Sequence, residues 1–287
     1  MVLVAAVVLG LADSVAGIWY RTGTEAAVHV VPARSGVANQ VVVAFPGFTM
    51  PGDLLARAFA PHLGDDDAML VVGYAERGID IDAIHRRVIR EIAAMSPARV
   101  RVYGASMGGV CARELLARYR RDGTPFGPVV LVLDTAPSQV GDVRQPGALF
   151  DLAVGYRGGP LSTVGWAAAS RLRGQPPAEP SADRRVTAAA SHAGAWAGMP
   201  AITSQAAYLG GSTAPRPGEL VPVAERVVYL RGRPGGPDPL IDVDRAITGW
   251  RQAFPHLTVT TFQHREERWH LPIIQRPQET VAYLLAA

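Results

Sequence analysis

No lysine occurs among the 287 residues of this chain, so all 28 basic side chains are arginines, set against 25 acidic residues for a net charge of +3. The arginines are scattered, with small groups such as Arg86 and Arg87 or Arg118, Arg120 and Arg121. So dispersed a pattern excludes the concentrated basic surface that a nucleic-acid partner requires. Cysteine is nearly missing as well. With Cys111 alone an internal disulfide is excluded, and the place of that residue just after Gly108 and Gly109, on an expected helix, suits packing rather than reactivity. The redox compartment stays open. Internal repeats and heptads are also missing, which excludes solenoids and coiled coils. Hydrophobic residues make up 48% of the chain, ample for the core of one large domain or of a domain carrying an insertion.

Residues 1–21, MVLVAAVVLGLADSVAGIWYR, form an apolar segment of about the length that crosses a bilayer. It lacks the early positive charge of a secretory signal, although Ala12 to Ala16 offers small residues of the kind found at cleavage points. A membrane anchor is a second reading, weakened by Asp13, and an element packed on the domain is a third. Arg21 alone does not set an orientation. Localisation is therefore open between anchored, exported and cytoplasmic.

From residue 22 onward, strands and helices alternate. β-branched runs bounded by Gly, Pro or Asn predict strands at AAVHVVPA, QVVVAF, AMLVVGY, RVRVYG, PVVLVLD, RVVYLRG and LTVTTFQ. Between them, helical spacing is expected in GDLLARAFAPHL, IDIDAIHRRVIREIAAM, GGVCARELLARYRR and VDRAITGWRQAF, with a terminal helix PQETVAYLLAA. Ile79, Ile84, Val88 and Ile92 fall on or near one helical face. The inner strands are unbroken apolar runs, the mark of a mostly parallel sheet covered by helices on both faces. Across about residues 135–221 the alternation breaks into Gly, Pro, Ala and Ser with short helical pieces, and an insertion within the domain 22–287 is expected there.

VYGASMGGV, Val102 to Val110, places Ser106 where a strand must turn sharply into a helix. Gly-x-Ser-x-Gly is weak as a pattern in a glycine-rich chain, so its context carries the reading. A serine on a strained turn projects its hydroxyl above the sheet, and Gly104 and Gly108 remove side chains that would collide. The N-terminus of the following helix then faces the site, favouring negative charge on an attacked carbonyl oxygen.

With FPGF at residues 45 to 48, GASMGG at 104 to 109, PDPLI at 237 to 241 and WHLPIIQRPQETVAYLL at 269 to 285, the chain resembles the α/β-hydrolase superfamily, in its serine-nucleophile branch, from about His29 to Leu285. The resemblance implies that fold, with a helical cap formed by the insertion, and a nucleophile, acid and histidine in that chain order. Ser106, Asp238 and His270 match. His264 is the alternative base and Asp134, at the end of its strand, the alternative acid, while Asp242 and Asp244 suit the start of a helix. The resemblance also implies two oxyanion-hole donors, the backbone N–H groups of Met107 and Phe48. Pro46-Gly47 replaces the commoner His-Gly start, and Thr49 is an alternative donor.

Together the resemblance and these residues imply a serine hydrolase acting on a small-molecule ester or thioester, without cofactor or metal. The spacing between His264 and His270 fits no common ligand pair, and the acids at 65 to 67 suit a solvated loop. Phe150, Tyr156, Leu161, Trp166, Trp196 and Tyr208 in the insertion suit ordinary packing or, where they line the site, an apolar acyl group, and His192 is expected on its surface. Acyl transfer or perhydrolysis would use the same residues. A silent binding module is the reading from a different class.

Overall fold

In the computed structural model the described residues are 4–5, 7–12, 27–75, 78–123, 127–144, 199–232, 238–261 and 270–286. Seven strands form one sheet: β1 (Ala27–Val31), β2 (Gln40–Phe45), β3 (Asp67–Gly73), β4 (Arg99–Ala105), β5 (Val129–Asp134), β6 (Ala224–Arg231) and β7 (Thr258–Thr261). Their spatial order is β1-β3-β2-β4-β5-β6-β7, and only β1 runs antiparallel, along β3. The central strands β2 and β5 are buried along their whole length, which is why their sequences are unbroken apolar runs. At the sheet edge, β1 is exposed or half-buried along its length.

Helices cover both faces. On one side α2 (Ile81–Met95), α3 (Gly108–Asp122) and α5 (Val243–Ala253) bury Ile84, Val88, Ile92, Val110, Leu116 and Trp250 against the sheet. On the other, α1 (Gly52–Phe59), α6 (Pro272–Gln275) and α7 (Pro277–Ala286) bury Leu55, Phe59, Ile273 and Leu284. Local chemistry sets their ends. Asp80 caps α2 by accepting the Ala83 N–H at 2.9 Å, and Asp242 caps α5 through Arg245 N–H at 3.3 Å, the role expected of it from sequence.

The chain leaves the sheet at Asp134 and re-enters it at Ala224. Within that excursion α4 (Met199–Gly210) is described, and it returns to bury Leu209 in the core. The expected short helices at LSTVGWAAASRL and ADRRVTAAASHAGAWAG, and with them Phe150, Tyr156, Leu161, Trp166, His192 and Trp196, lie outside the described residues. Of the apolar N-terminal segment, residues 4–5 and 7–12 are helical, and Val4, Val7, Val8, Leu9 and Leu11 are exposed. Among the described residues no helix is long and apolar enough to cross a membrane.

Trp250 joins core to loop, because its buried ring packs on the sheet while its indole N–H donates to the Ala136 carbonyl at 2.9 Å. Trp250→Ala is expected to lower unfolding free energy by about 3–5 kcal/mol in a urea titration. A loss below ~1 kcal/mol would show that α5 is not anchored through this ring.

Candidate active site

The geometry begins with the turn from β4 into α3. Ser106 sits there at φ 47°, in the left-handed region, and its N–H donates to the Asp134 carbonyl at 2.9 Å. A Cβ at Gly108 would lie 2.1 Å from the Phe45 carbonyl oxygen, and one at Gly104 would lie 2.5 Å from the Cα of Gly109. Both glycines are therefore required for the close approach of α3 to the strand ends. The serine itself is 7% exposed.

His270 reaches the same point from the loop before α6. Its Nε2 lies 2.8 Å from the Ser106 hydroxyl, and its Nδ1 lies 2.8 Å from Oδ2 of Asp238. An ionised carboxylate can only accept, so Nδ1 carries the hydrogen and Nε2 is left to accept from the serine. The other Asp238 oxygen accepts the N–H groups of Leu240 and Ile241 at 2.8 and 2.7 Å, which fixes the carboxylate relative to its own loop. The structure thus brings together the three residues expected from sequence. His264, the alternative base, lies outside the described residues.

The acid loop is braced by the segment after β5. Buried Asp142 accepts the Ser138 N–H and hydroxyl at 2.8 and 2.6 Å, and its carbonyl accepts the Asp242 N–H at 2.7 Å. Val143 and Ile241 then form an antiparallel bridge, extended by Arg144 N–H to the Leu240 carbonyl at 2.7 Å. Sequence reading assigned none of these bracing residues, since they touch only when the two loops fold side by side.

Asp134, the alternative acid, does not reach His270 as a partner. Its carboxylate accepts the Tyr103 hydroxyl at 2.5 Å and the Ile273 N–H at 3.0 Å. Burial pushes that carboxyl up to about 6, against the opposing pull of those two donors. Cys111 is buried with its thiol pushed up to about 12, chiefly by desolvation, consistent with packing. Among the described residues no group of His, Cys, Asp or Glu could hold a metal ion.

Facing the serine is the loop Pro46–Met50. A Cβ on Gly47 would lie 3.3 Å from the Ser106 Cβ, so this backbone borders Ser106 and carries Phe48 beside it. Met107 occupies the N-cap of α3, where the first N–H groups lack acceptors within the helix. Thr49, at φ 59°, donates its N–H to Oε1 of buried Gln205 at 2.6 Å, so that N–H is engaged by α4. Ser204 beside it donates to the Ala75 carbonyl at 2.8 Å, and Tyr74 supports the loop through the Pro46 carbonyl at 2.8 Å. No signal in the Ala-rich sequence of α4 singled out Gln205.

No family model and no curated protein matches the sequence. Solved structures do match in fold. An esterase from Exiguobacterium antarcticum is 14% identical over 91% of this chain and 94% of its own, with a TM-score of 0.61. A structure reported with carboxylesterases of Nitrososphaera gargenis is 11% identical over 91% and 93%, at 0.58. The N-acyl homoserine lactonase AidH, complexed with N-hexanoyl homoserine, is 16% identical over 91% of both chains, at 0.55. The chain has the α/β-hydrolase fold.

Removing the Gln205 acceptor should leave the left-handed Thr49 amide without a partner, at a cost of about 1–3 kcal/mol. Gln205→Ala is expected to accelerate hydrogen exchange at Thr49 and lower the unfolding midpoint. Unchanged Thr49 exchange would mean that α4 does not hold this loop.

Proposed function

We propose that the protein is a serine hydrolase that cleaves a carboxylic ester or thioester through an acyl-enzyme. The observation that carries this reading is the continuous hydrogen-bond chain from the Ser106 hydroxyl through His270 to Asp238, with both contacts at 2.8 Å. A neutral hydroxyl is a poor nucleophile. With Nε2 free to accept, His270 takes the Ser106 proton as Oγ bonds to the carbonyl carbon, and Asp238 stabilises the imidazolium so formed. The carbonyl π electrons move onto oxygen, where the N–H groups of Met107 and Phe48 are the proposed donors. Collapse of that intermediate expels the alcohol or thiol, which takes the proton from His270. Water then repeats the sequence on the acyl-serine and releases the acid.

The esterase and lactonase activities named for similarly folded proteins support an ester bond as the target, while the pairing of acid and base supports an activated serine. Residues 135–221 are proposed as a cap over the serine, with an apolar acyl group as the preferred ligand. Half-buried Tyr208 on α4 packs against the core and so does not bear on that lining. Transfer of the acyl group to another acceptor, or perhydrolysis, would use the same three side chains.

Treatment with a fluorophosphonate, then intact-protein mass spectrometry, is expected to give one adduct on the wild type and none on Ser106→Ala or His270→Ala. An adduct persisting on Ser106→Ala would overturn the nucleophile assignment. On p-nitrophenyl esters of rising chain length, Asp238→Asn is expected to lower turnover by about 10⁴-fold through loss of tautomer control.

A further inference from the structure

Asp134 is a fully buried carboxylate at the C-terminal end of β5, and no ion pair neutralises it among the described residues. Its contacts divide between two segments that must meet. Through its backbone carbonyl it holds the N–H of Ser106 at 2.9 Å. Through Oδ2 it holds the N–H of Ile273 at 3.0 Å, three residues beyond His270 in the first turn of α6, together with the Tyr103 hydroxyl from β4. Thr135 donates its hydroxyl to Oδ1 at 3.3 Å.

One residue therefore fixes the serine turn by its main chain and the histidine loop by its side chain. Burying a carboxylate without a cation is costly, and a neutral amide of the same shape would satisfy the Tyr103 and Ile273 donors equally well. The negative charge itself calls for a role. The group placed to feel it is His270, whose interaction with Asp134 favours charge on both.

We propose that Asp134 is a second, positioning carboxylate of the active site, which holds the His270 loop against the Ser106 turn and favours the imidazolium through its charge. This role rests on the serine-hydrolase reading. The titratable groups facing Asp134 are Tyr103 from β4, Tyr229 from β6 and His270 from the loop before α6; both Tyr229 and Asp134 are held toward their neutral forms chiefly by burial.

Burial also sets the sign of the pH effect. The folded-state pKa of Asp134, about 6, lies above the ordinary 3.8, so the folded chain retains a proton that the unfolded chain gives up across that window. Ionised Asp134 consequently destabilises the fold as pH rises through the window, and the full cost is present above it. Replacement by an uncharged isostere should leave the protein as stable as wild type, or more so, at pH 8. Reactivity should move the other way.

The test is the pH dependence of Ser106 labelling by a fluorophosphonate, with thermal unfolding at pH 8 measured on the same samples. Asp134→Asn is expected to label about tenfold more slowly at pH 8, because formation of the imidazolium loses a nearby negative charge. The acid limb of its profile should fall to lower pH by about one unit, because imidazolium has lost a stabilising charge. Its Tm should equal or exceed that of wild type. Tyr103→Phe provides the opposite arm: the hydroxyl it removes lowers the Asp134 pKa, so the acid limb should move to higher pH. An Asp134→Asn protein with wild-type rate and limb would overturn the proposal, as would a lowered Tm with an unmoved limb, the mark of a merely structural residue. Wild type that takes no label would overturn the nucleophile reading and this proposal with it.

Discussion

Three residues next to the ends of central strands are held in left-handed backbone although none is glycine: Thr49 after β2, Ser106 after β4 and Thr135 after β5. Such conformations cost about 1–3 kcal/mol each and persist only where surroundings over-determine them. Here each strained residue has its N–H tied down, Thr49 to Gln205, Ser106 to Asp134 and Thr135 to the Leu230 carbonyl at 3.0 Å. The site depends on that set of ties. Without them the strands could run on in extended form, and the hydroxyl of Ser106 would lie along the sheet instead of above it. The force that maintains the ties is the burial of the sheet between two helical layers, since strand ends fixed in register cannot relax one at a time.

Distance along the chain explains why loops so far apart must be braced before they can act together. His270 is 164 residues from Ser106 and 32 from Asp238, so a flexible loop at either place would lose the 2.8 Å contacts to its own motion. Two devices prevent this. The acid loop is stitched to the segment after β5 through Asp142, the Val143–Ile241 bridge and Arg144, while the histidine loop is pinned at Ile273 and buried through Leu271 and Ile274. Both devices lead back to β5. The strand that lies between those leading to Ser106 and to Asp238 thus supplies the frame for each.

Much of this architecture was legible in the residues. The strands of a sheet buried on both faces must be apolar throughout, and the runs at Gln40–Phe45 and Val129–Asp134 carried that signal without ambiguity. The serine turn was legible because sterics dictate glycine at Gly104 and Gly108. Other features leave no local trace. Nothing in AVHVV reveals that β1 runs antiparallel, a choice made by the connection to β2 and pairing with β3. Gln205 looks like any polar residue of a helix, and its partner Thr49 lies 156 residues away. Asp134 was visible as a carboxylate at a strand end, the position of an acid, yet its contacts turn on where Ile273 comes to lie.

That last case separates two jobs that a carboxylate can do near an imidazole. Asp238 accepts the Nδ1 hydrogen directly, which fixes the tautomer and so decides whether Nε2 is a base at all. Asp134 touches no ring nitrogen, so it cannot choose the tautomer; it can act only through the position of the loop and through the field its charge creates. A field from a buried charge is strong because no water screens it, and the same lack of water makes the charge costly to keep. A group selected for stability alone would be neutral in that place. Burial holds its carboxyl above the ordinary range, while its interaction with His270 favours charge on both groups. The fold thereby gives up stability where the proposed chemistry gains most from negative charge.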